Sequence, residues 1–477
     1  MNNGRPLSWT LSETLKATGG ELLCGDKTQA FEKVCIDSRS IDPNDLFVAI
    51  VGEIHDGHAF ISDVVEQGAR SLMVSSAKAR DFPISTWQTR NIACVAVRDT
   101  TRALGDLAAF HRARTDAALI AITGSNGKTT TRQMTTAVVA RKFNTLATIG
   151  NYNNQIGVPL TLLRLAPEHK WAVVELGTNR PGEIARLAQI CAPDIGVITN
   201  VGPAHLEGLG SLDGVMREKG QLLDHLKAKG KAVLNADDRR AFKIAAGTKQ
   251  EVHFFGLSEK AAIRATAVNE KTSGISFSLD LPQESVTVDL KAAGHFMVAN
   301  ALAAAAVGYL LGLPAAEIKA GLETFEPAWG RMNILQTAGG IHVIDDTYNA
   351  NPDSMKAALT TLVSLRANNR SVFVAGDMLE LGAQTESLHR QVGVWAATAN
   401  INKLLVTGQY ADAVAGAAKK AGMQSENIFA GSQEKILDAL KDFLKPGDWV
   451  LVKGSRGAQM DTIVEDLKKW AGIKPEA

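Results

Sequence analysis

Short apolar runs alternate with helix-length amphipathic segments along most of this chain, and each run halts at polar or glycine-rich residues. Between positions 119 and 238 the runs are 119–123, 171–175, 195–200 and 231–235. Runs of this length, separated by helical intervals, predict buried strands of a parallel sheet with helices on its faces. A second series, 341–344, 372–375, 403–407, 427–430 and 449–452, follows Trp329, Gly330 and Arg331. It predicts a separate doubly wound sheet, and the absence of G-x-G-x-x-G there disfavours dinucleotide binding. The segment before position 115 is less regular. Its turns at Asp42-Pro43-Asn44-Asp45 and Asp56-Gly57-His58 and its helix near 104–114 read as a small α/β domain. The expected fold is therefore α/β in three domains: a small N-terminal α/β domain (1–114), a central parallel-sheet domain (115–328) and a C-terminal Rossmann-like doubly wound domain (329–477).

In open parallel sheets ligands bind beyond the carboxyl ends of the strands, so the residues that end these runs matter most. The run 119–123 ends in Gly124-Ser125-Asn126-Gly127-Lys128-Thr129-Thr130 and leads into a helix-compatible stretch. Glycines there let backbone N–H groups curl around phosphate oxygens, and the helix N-terminus adds positive potential. Lys128 can neutralise β/γ-phosphates and Thr129 offers a hydroxyl to Mg²⁺. The general P-loop has four residues between its glycines, whereas this one has two, with Ile122 in the first glycine's place. Glu175 ends the next run beside that loop, a suitable oxygen ligand for Mg²⁺. His205 follows the run 195–200 on the same sheet edge.

Charge and composition narrow the partners. Lys plus Arg number 51 against 50 Asp plus Glu, which argues against a nucleic acid or an anionic membrane as the main partner. The Ala-rich stretch 301–313 is too short to span a bilayer and predicts a buried helix. No secretory signal is visible at the start. The four cysteines, Cys24, Cys35, Cys94 and Cys191, are scattered without a C-x-x-C pair, as suits reduced thiols in a cytoplasmic enzyme.

Taken in order, these residues resemble the Mur ligase family, the ATP-dependent amide ligases of peptidoglycan precursor synthesis. The T-G-x-N-G-K-T-T loop at 123–130 is that family's version of the P-loop. Further matching stretches are Asn153-Asn154-Gln155, the strand ending at Glu175, 200–205, Lys219-Gly220, Asn235-Ala236-Asp237-Asp238, Gly330-Arg331 and 345–352. Three stretches, 345–352, 376–382 and 453–456, resemble the members that add D-alanyl-D-alanine to UDP-N-acetylmuramoyl-tripeptide. The adenine-side motif G-x-H-N-x-x-N reads Gly294-His295-Phe296-Met297-Val298-Ala299-Asn300, with Asn300 in register.

The resemblance implies an acyl-phosphate mechanism with ATP and Mg²⁺, in which Lys128, His205 and Lys219 are catalytic. Gly124, Ser125, Asn126, Gly127, Lys128, Thr129, Thr130, Asn300, Arg331 and Asp346 would bind ATP. Thr129, Glu175, His205 and a carbamylated Lys219 would serve the metal ions. Ser38, Arg39, His58, Asn153, Asn154, Tyr348 and Asn349 would bind the UDP-linked tripeptide or the dipeptide. The expected enzyme is a cytoplasmic monomer without nucleic-acid partners or stable membrane association. Two alternatives stay open: another amino-acid-adding ligase of the superfamily, such as a third-residue-adding or folylpolyglutamate synthetase type, and a P-loop ATPase switch.

Overall fold

The computed structural model describes residues 8–52, 54–271 and 274–472. Besides a two-stranded pair of Trp9–Thr10 with Ala30–Phe31, three larger sheets follow one another along the chain, and the central one sets the geometry of the rest. From one edge to the other its nine strands are Thr145–Ala147, Trp171–Glu175, Ala118–Thr123, Ile195–Ile198, Lys231–Asn235, Glu251–Gly256, Ile263–Lys271, Gly274–Asp280 and Ser285–Leu290. The first seven run parallel, and the last three form an antiparallel meander. After Ala118–Thr123 the chain first lays strands on one side and then crosses to the other. That strand's carboxyl end is therefore the topological switch point, where ligands bind in this class of sheet.

The apolar runs are continuous because both faces of the parallel region are covered. Ile120, Ile122, Val173, Val197 and Val233 pack into one core, whereas Leu119, Ala121, Ala172, Val174, Ile198 and Leu234 pack into another. Burying a side chain of this size stabilises by about 1.5–3 kcal/mol relative to exposure. The first face is covered by the helices Lys128–Ala140 and His295–Leu310. Ala301 through Val307 are buried, as the Ala-rich stretch predicts. Small residues let these helices approach closely, since a Cβ built on Gly308 would stand 2.7 Å from Val138 Cγ1.

The third sheet has the order Asn333–Gln336, His342–Asp346, Trp449–Lys453, Ser371–Ala375, Lys403–Val406 and Ile428–Ala430, parallel except at the first edge. The N-terminal sheet has five strands, Glu21–Cys24, Ala93–Val97, Ser71–Ser75, Asp45–Val48 and Lys33–Cys35, with the helix Thr100–Ala113 beyond it. Asp99 caps that helix by accepting from the N–H groups of Thr101 and Arg102, which satisfies two otherwise orphaned donors.

Reading only continuous apolar runs misses several strands. In Gly274–Asp280 the buried Ile275, Phe277 and Leu279 alternate with Ser276, Ser278 and Asp280, the signature of a sheet covered on one face. Cys24 and Cys94, distant in sequence, face each other in the register of two paired strands. All four are free thiols, and burial pushes the Cys94 thiol up to about 12. Among the described residues no helix is long and apolar enough to cross a membrane.

Candidate active site

Strand ends of the central and third sheets converge on one cleft of about 1080 Å³. At its floor the strand Ala118–Thr123 turns through Gly124 into the helix Lys128–Ala140. Gly124 and Gly127 take φ values of +154° and +79°. Glycine is required at both: an added Cβ would stand 1.9 Å from Thr199 Oγ1 at the first and 2.2 Å from Asn300 Oδ1 at the second. Neighbouring strand ends hold the loop open. Asn126 N–H donates to Asn200 Oδ1 at 2.9 Å, Thr199 Oγ1 donates to the Asn126 carbonyl at 2.6 Å, and Ser125 Oγ donates to the Gly202 carbonyl at 2.9 Å.

Lys128 lies in the first helical turn, where its Nζ donates to the Gly124 carbonyl at 2.9 Å. Desolvation depresses its pKa below the ordinary lysine value, the Glu175 charge opposes that shift, and the Arg331 charge adds to it. Glu175 is buried at the end of its strand. Its Oε1 accepts from Asn153 Nδ2 at 2.9 Å, while its Oε2 stands 3.4 Å from Arg132 Nε. Neither Oε2 nor that Nε completes a hydrogen bond among the described residues. A buried carboxylate oxygen left without a donor is suited to a hard cation. With Thr129 Oγ1 nearby on the same cleft, the donor set fits Mg²⁺ shared with phosphate oxygens. Among the described residues no group of three His, Cys, Asp or Glu side chains forms a preformed metal centre.

Lys219 is 1% exposed in the helix Leu212–Asp224. Burial, with the nearby Lys128 charge, drives its pKa far below the ordinary lysine value. The adjacent Glu218 cannot attend to it fully, since its carboxylate already accepts from Thr178 Oγ1 and from the N–H groups of Gly182 and Ile184. His205 adopts the left-handed conformation, φ +55°, and its Nδ1 lies 2.5 Å from Glu380 Oε2 of the third sheet's domain.

Other third-domain residues reach the same floor. Arg331 Nη2 donates to Thr129 Oγ1 at 3.0 Å, and its guanidinium lies over the Tyr348 ring, 4.1 Å from the centroid. Asn351 caps the helix Pro352–Arg366 with its Oδ1 and donates through Nδ2 to Asn126 Oδ1 at 2.7 Å. Asp346 pairs with Lys453 Nζ at 2.5 Å, and that amine also donates to the Asn349 carbonyl at 2.9 Å.

The cleft brings together Ser125, Asn126, Gly127, Lys128, Thr129, Thr130, Asn153, Asn154, Glu175, His205, Asn300, Arg331, Asp346, Tyr348 and Asn349. Asn154 caps the following helix, its Oδ1 accepting from the N–H groups of Ile156 and Gly157. Asn300 does not point freely outward. It is buried against Gly127, with Oδ1 accepting from Thr131 Oγ1 at 3.2 Å, so it braces the loop. Gly124 and Lys219 are not among the residues that line this cleft, and Ser38, Arg39 and His58 lie outside it in the N-terminal domain. Arg39 is exposed and makes a two-point pair with Asp37, whose carboxyl is held at about 2 by that guanidinium. His58 is buried with both ring nitrogens engaged, by Asp56 Oδ1 at 2.7 Å and Ser75 N–H at 2.9 Å.

Sequence reasoning missed Arg132, Asn351, Glu380 and Lys453 as parts of the site. Two signals were available. Arg132 is four residues after Lys128 and shares its helix face, and Lys453 ends an apolar run in the same way as Glu175.

Three family models match the chain: the Mur ligase family catalytic domain over residues 31–112, the Mur ligase middle domain over 122–308 and the Mur ligase glutamate ligase domain over 330–456. The chain belongs to the Mur ligase family. The UDP-N-acetylmuramoyl-tripeptide--D-alanyl-D-alanine ligase of Escherichia coli (strain K12) is 38% identical over 97% of this chain and 99% of its own length. The enzyme of that name from Bacillus subtilis (strain 168) is 31% identical over 91% of this chain and 92% of its own. A crystal structure of MurF from Acinetobacter baumannii superposes with a TM-score of 0.89 at 34% identity, covering 98% of this chain and 100% of that one. MurF ligase from Thermotoga maritima in complex with ADP gives a TM-score of 0.82 at 26% identity, with coverage of 92% and 98%.

Replacing Lys128 by Ala should lower kcat about 10²–10³-fold, the scale for removing one preorganised charge donor from a reacting phosphoryl group. Melting temperature should hold, because the side chain lines the cleft and belongs to neither apolar core of the central domain. Steady-state kinetics beside a thermal melt checks this, and near-normal turnover would remove Lys128 from the phosphate site.

Proposed function

We propose that this Mur ligase is an ATP-dependent amide ligase that joins D-alanyl-D-alanine to UDP-N-acetylmuramoyl-tripeptide through an acyl phosphate, in peptidoglycan precursor synthesis. The observation that carries the reading is its near-full-length likeness to ligases of that name, 38% identical in the Escherichia coli case. The folylpolyglutamate synthetase alternative has less support, since the Mycobacterium tuberculosis enzyme is 16% identical and shares the fold alone at a TM-score of 0.61.

A carboxylate and an amine do not condense unaided, because hydroxide is a poor leaving group. An oxygen of the tripeptide's terminal carboxylate attacks the γ-phosphorus, and the bond to ADP breaks. The dipeptide's amine then attacks the acyl carbon, phosphate leaves with the bonding pair, and the amine gives up a proton. The obstacle to the first step is anion meeting anion. Lys128 and Arg331 supply positive charge where it develops, and the loop N–H groups from Gly124 to Thr130 position the phosphates. Thr129 and Glu175, with His205 on the same cleft, would hold Mg²⁺, whose chemistry there would be neutralisation of phosphate charge. Asp346 is suited to ribose hydroxyls and Tyr348 to a flat surface beside Arg331. ATP as co-substrate supports a cytoplasmic site of action.

Lys219 is read as a carbamate, formed when its neutral amine attacks CO₂ and loses a proton. Its burial, the depressed pKa and the lack of any hydrogen bond or ion pair to it among the described residues support that reading. An ammonium there would repel a divalent cation, whereas a carbamate presents anionic oxygen.

ADP release should require both the UDP-linked tripeptide and D-alanyl-D-alanine, with mass spectrometry showing the pentapeptide product. Turnover independent of both substrates would favour the ATPase switch instead. In the same assay Lys219→Ala should lose most activity and regain part of it with short carboxylic acids. A fully active Lys219→Ala enzyme would eliminate the carbamate.

A further inference from the structure

The loop 376–382 has no part in the reaction as written, yet it is built as a rigid arm. Asp377 accepts from the N–H groups of Gln409 and Tyr410 at 2.8 and 3.2 Å. Met378 N–H donates to His389 Nε2 at 2.9 Å, and Leu379 N–H donates to Ser455 Oγ at 2.9 Å. Four backbone donors are thus fixed by three side chains around one short segment. A side chain on such a support is held at small entropic cost.

What the arm presents is Glu380. This residue takes φ +62°, and its partner His205 takes φ +55°, so two non-glycine residues in the left-handed region meet across the domain boundary. Such conformations persist where surrounding structure imposes them, and they cluster at functional sites. The contact has more than one component. Glu380 Oε2 lies 2.5 Å from His205 Nδ1, and the Glu380 carbonyl accepts from Glu207 N–H at 3.1 Å. Gly382, at φ +59°, passes so near that an added Cβ would stand 3.2 Å from Glu207 Cα. His205 in turn lines the cleft. A carboxylate can only accept, so Nδ1 carries the hydrogen of this bond and, in a neutral ring, Nε2 keeps its lone pair.

The geometry points to Glu380 as a positioning residue through which the third domain completes the phosphoryl-transfer site. Its carboxylate orients the His205 ring, and the backbone contacts beside it register the third domain against the segment 205–207. An exposed ion pair by itself contributes little. The difference here is that a pinned loop, two left-handed residues and a backbone hydrogen bond converge on one histidine of the cleft. The inference rests on the ligase reading above and extends it to domain docking, which commits substrate and excludes water in enzymes that close over a reactive intermediate.

The test compares Glu380→Ala and Glu380→Gln with the wild type. Wild-type ligation of the two substrates is established first, and its failure would refute the ligase reading itself. With a ligating wild type, the alanine variant should lose about 10–100-fold in kcat, the usual cost of removing an orienting partner. KM for ATP should change far less, and small-angle scattering should show a larger radius of gyration with an unshifted melting temperature. The glutamine variant, whose amide oxygen can still accept from Nδ1, should recover docking and most of kcat. If the alanine variant melts early, Glu380→Gln against Glu380→Met carries the same comparison. Wild-type kcat and scattering in the alanine or methionine variant would overturn the inference. So would a loss of kcat that leaves docking unchanged and that glutamine does not repair.

Discussion

One electrostatic constraint shapes the cleft: under the proposed function it must let a carboxylate approach a triphosphate. Positive charge must stand where both anions arrive, in a place dry enough for that charge to count. The protein gathers Lys128, Arg132 and Arg331 there and sets Glu175 and Glu380 within range of Lys128. Desolvation depresses the pKa of both Lys128 and Lys219. No single element could supply these groups. The P-loop turn gives Lys128, neighbouring strand ends give Glu175 and His205, and a separate sheet gives Arg331, Asp346 and Lys453.

The fold follows from that requirement. A parallel sheet covered on both faces aims its carboxyl ends to one edge, and the switch point beside Ala118–Thr123 leaves room for the turn through Gly124 and Gly127. The third sheet repeats the arrangement, so its own strand ends, at Asp346 and Lys453, face the same cleft. Contacts between the two domains are of two kinds: polar ones, Asn351 to Asn126, Arg331 to Thr129 and Glu380 to His205 and Glu207, and an apolar one, in which Met355, Ala358, Leu359 and Leu362 of the helix Pro352–Arg366 share a buried cluster with the central domain.

Much of this was legible in the sequence, and what was legible had a local cause. The strands at 171–175 and 231–235 were read at their observed bounds, because burial on both faces makes every residue apolar. The P-loop was legible because glycine, lysine and threonine each serve there at fixed spacing. The meander 263–290 escaped the search for continuous runs because alternate positions face solvent. Glu380 and Arg132 escaped for a different reason: their significance lies in what they touch, and His205 and Glu175 are distant from them in sequence. Asn300 was placed in the right neighbourhood, yet its bracing of Gly127 depends on a helix crossing that local pattern does not encode.

The central claim is that phosphate is transferred to the tripeptide's carboxylate before the peptide bond forms. Ligation with a tripeptide whose terminal carboxylate carries heavy oxygen tests it most directly, with the released phosphate analysed by mass spectrometry. The account predicts one labelled oxygen in each phosphate, because the oxygen that attacks phosphorus is the one that later departs with it. Phosphate free of label, with one heavy oxygen kept in the new amide and the other lost to water, would contradict it.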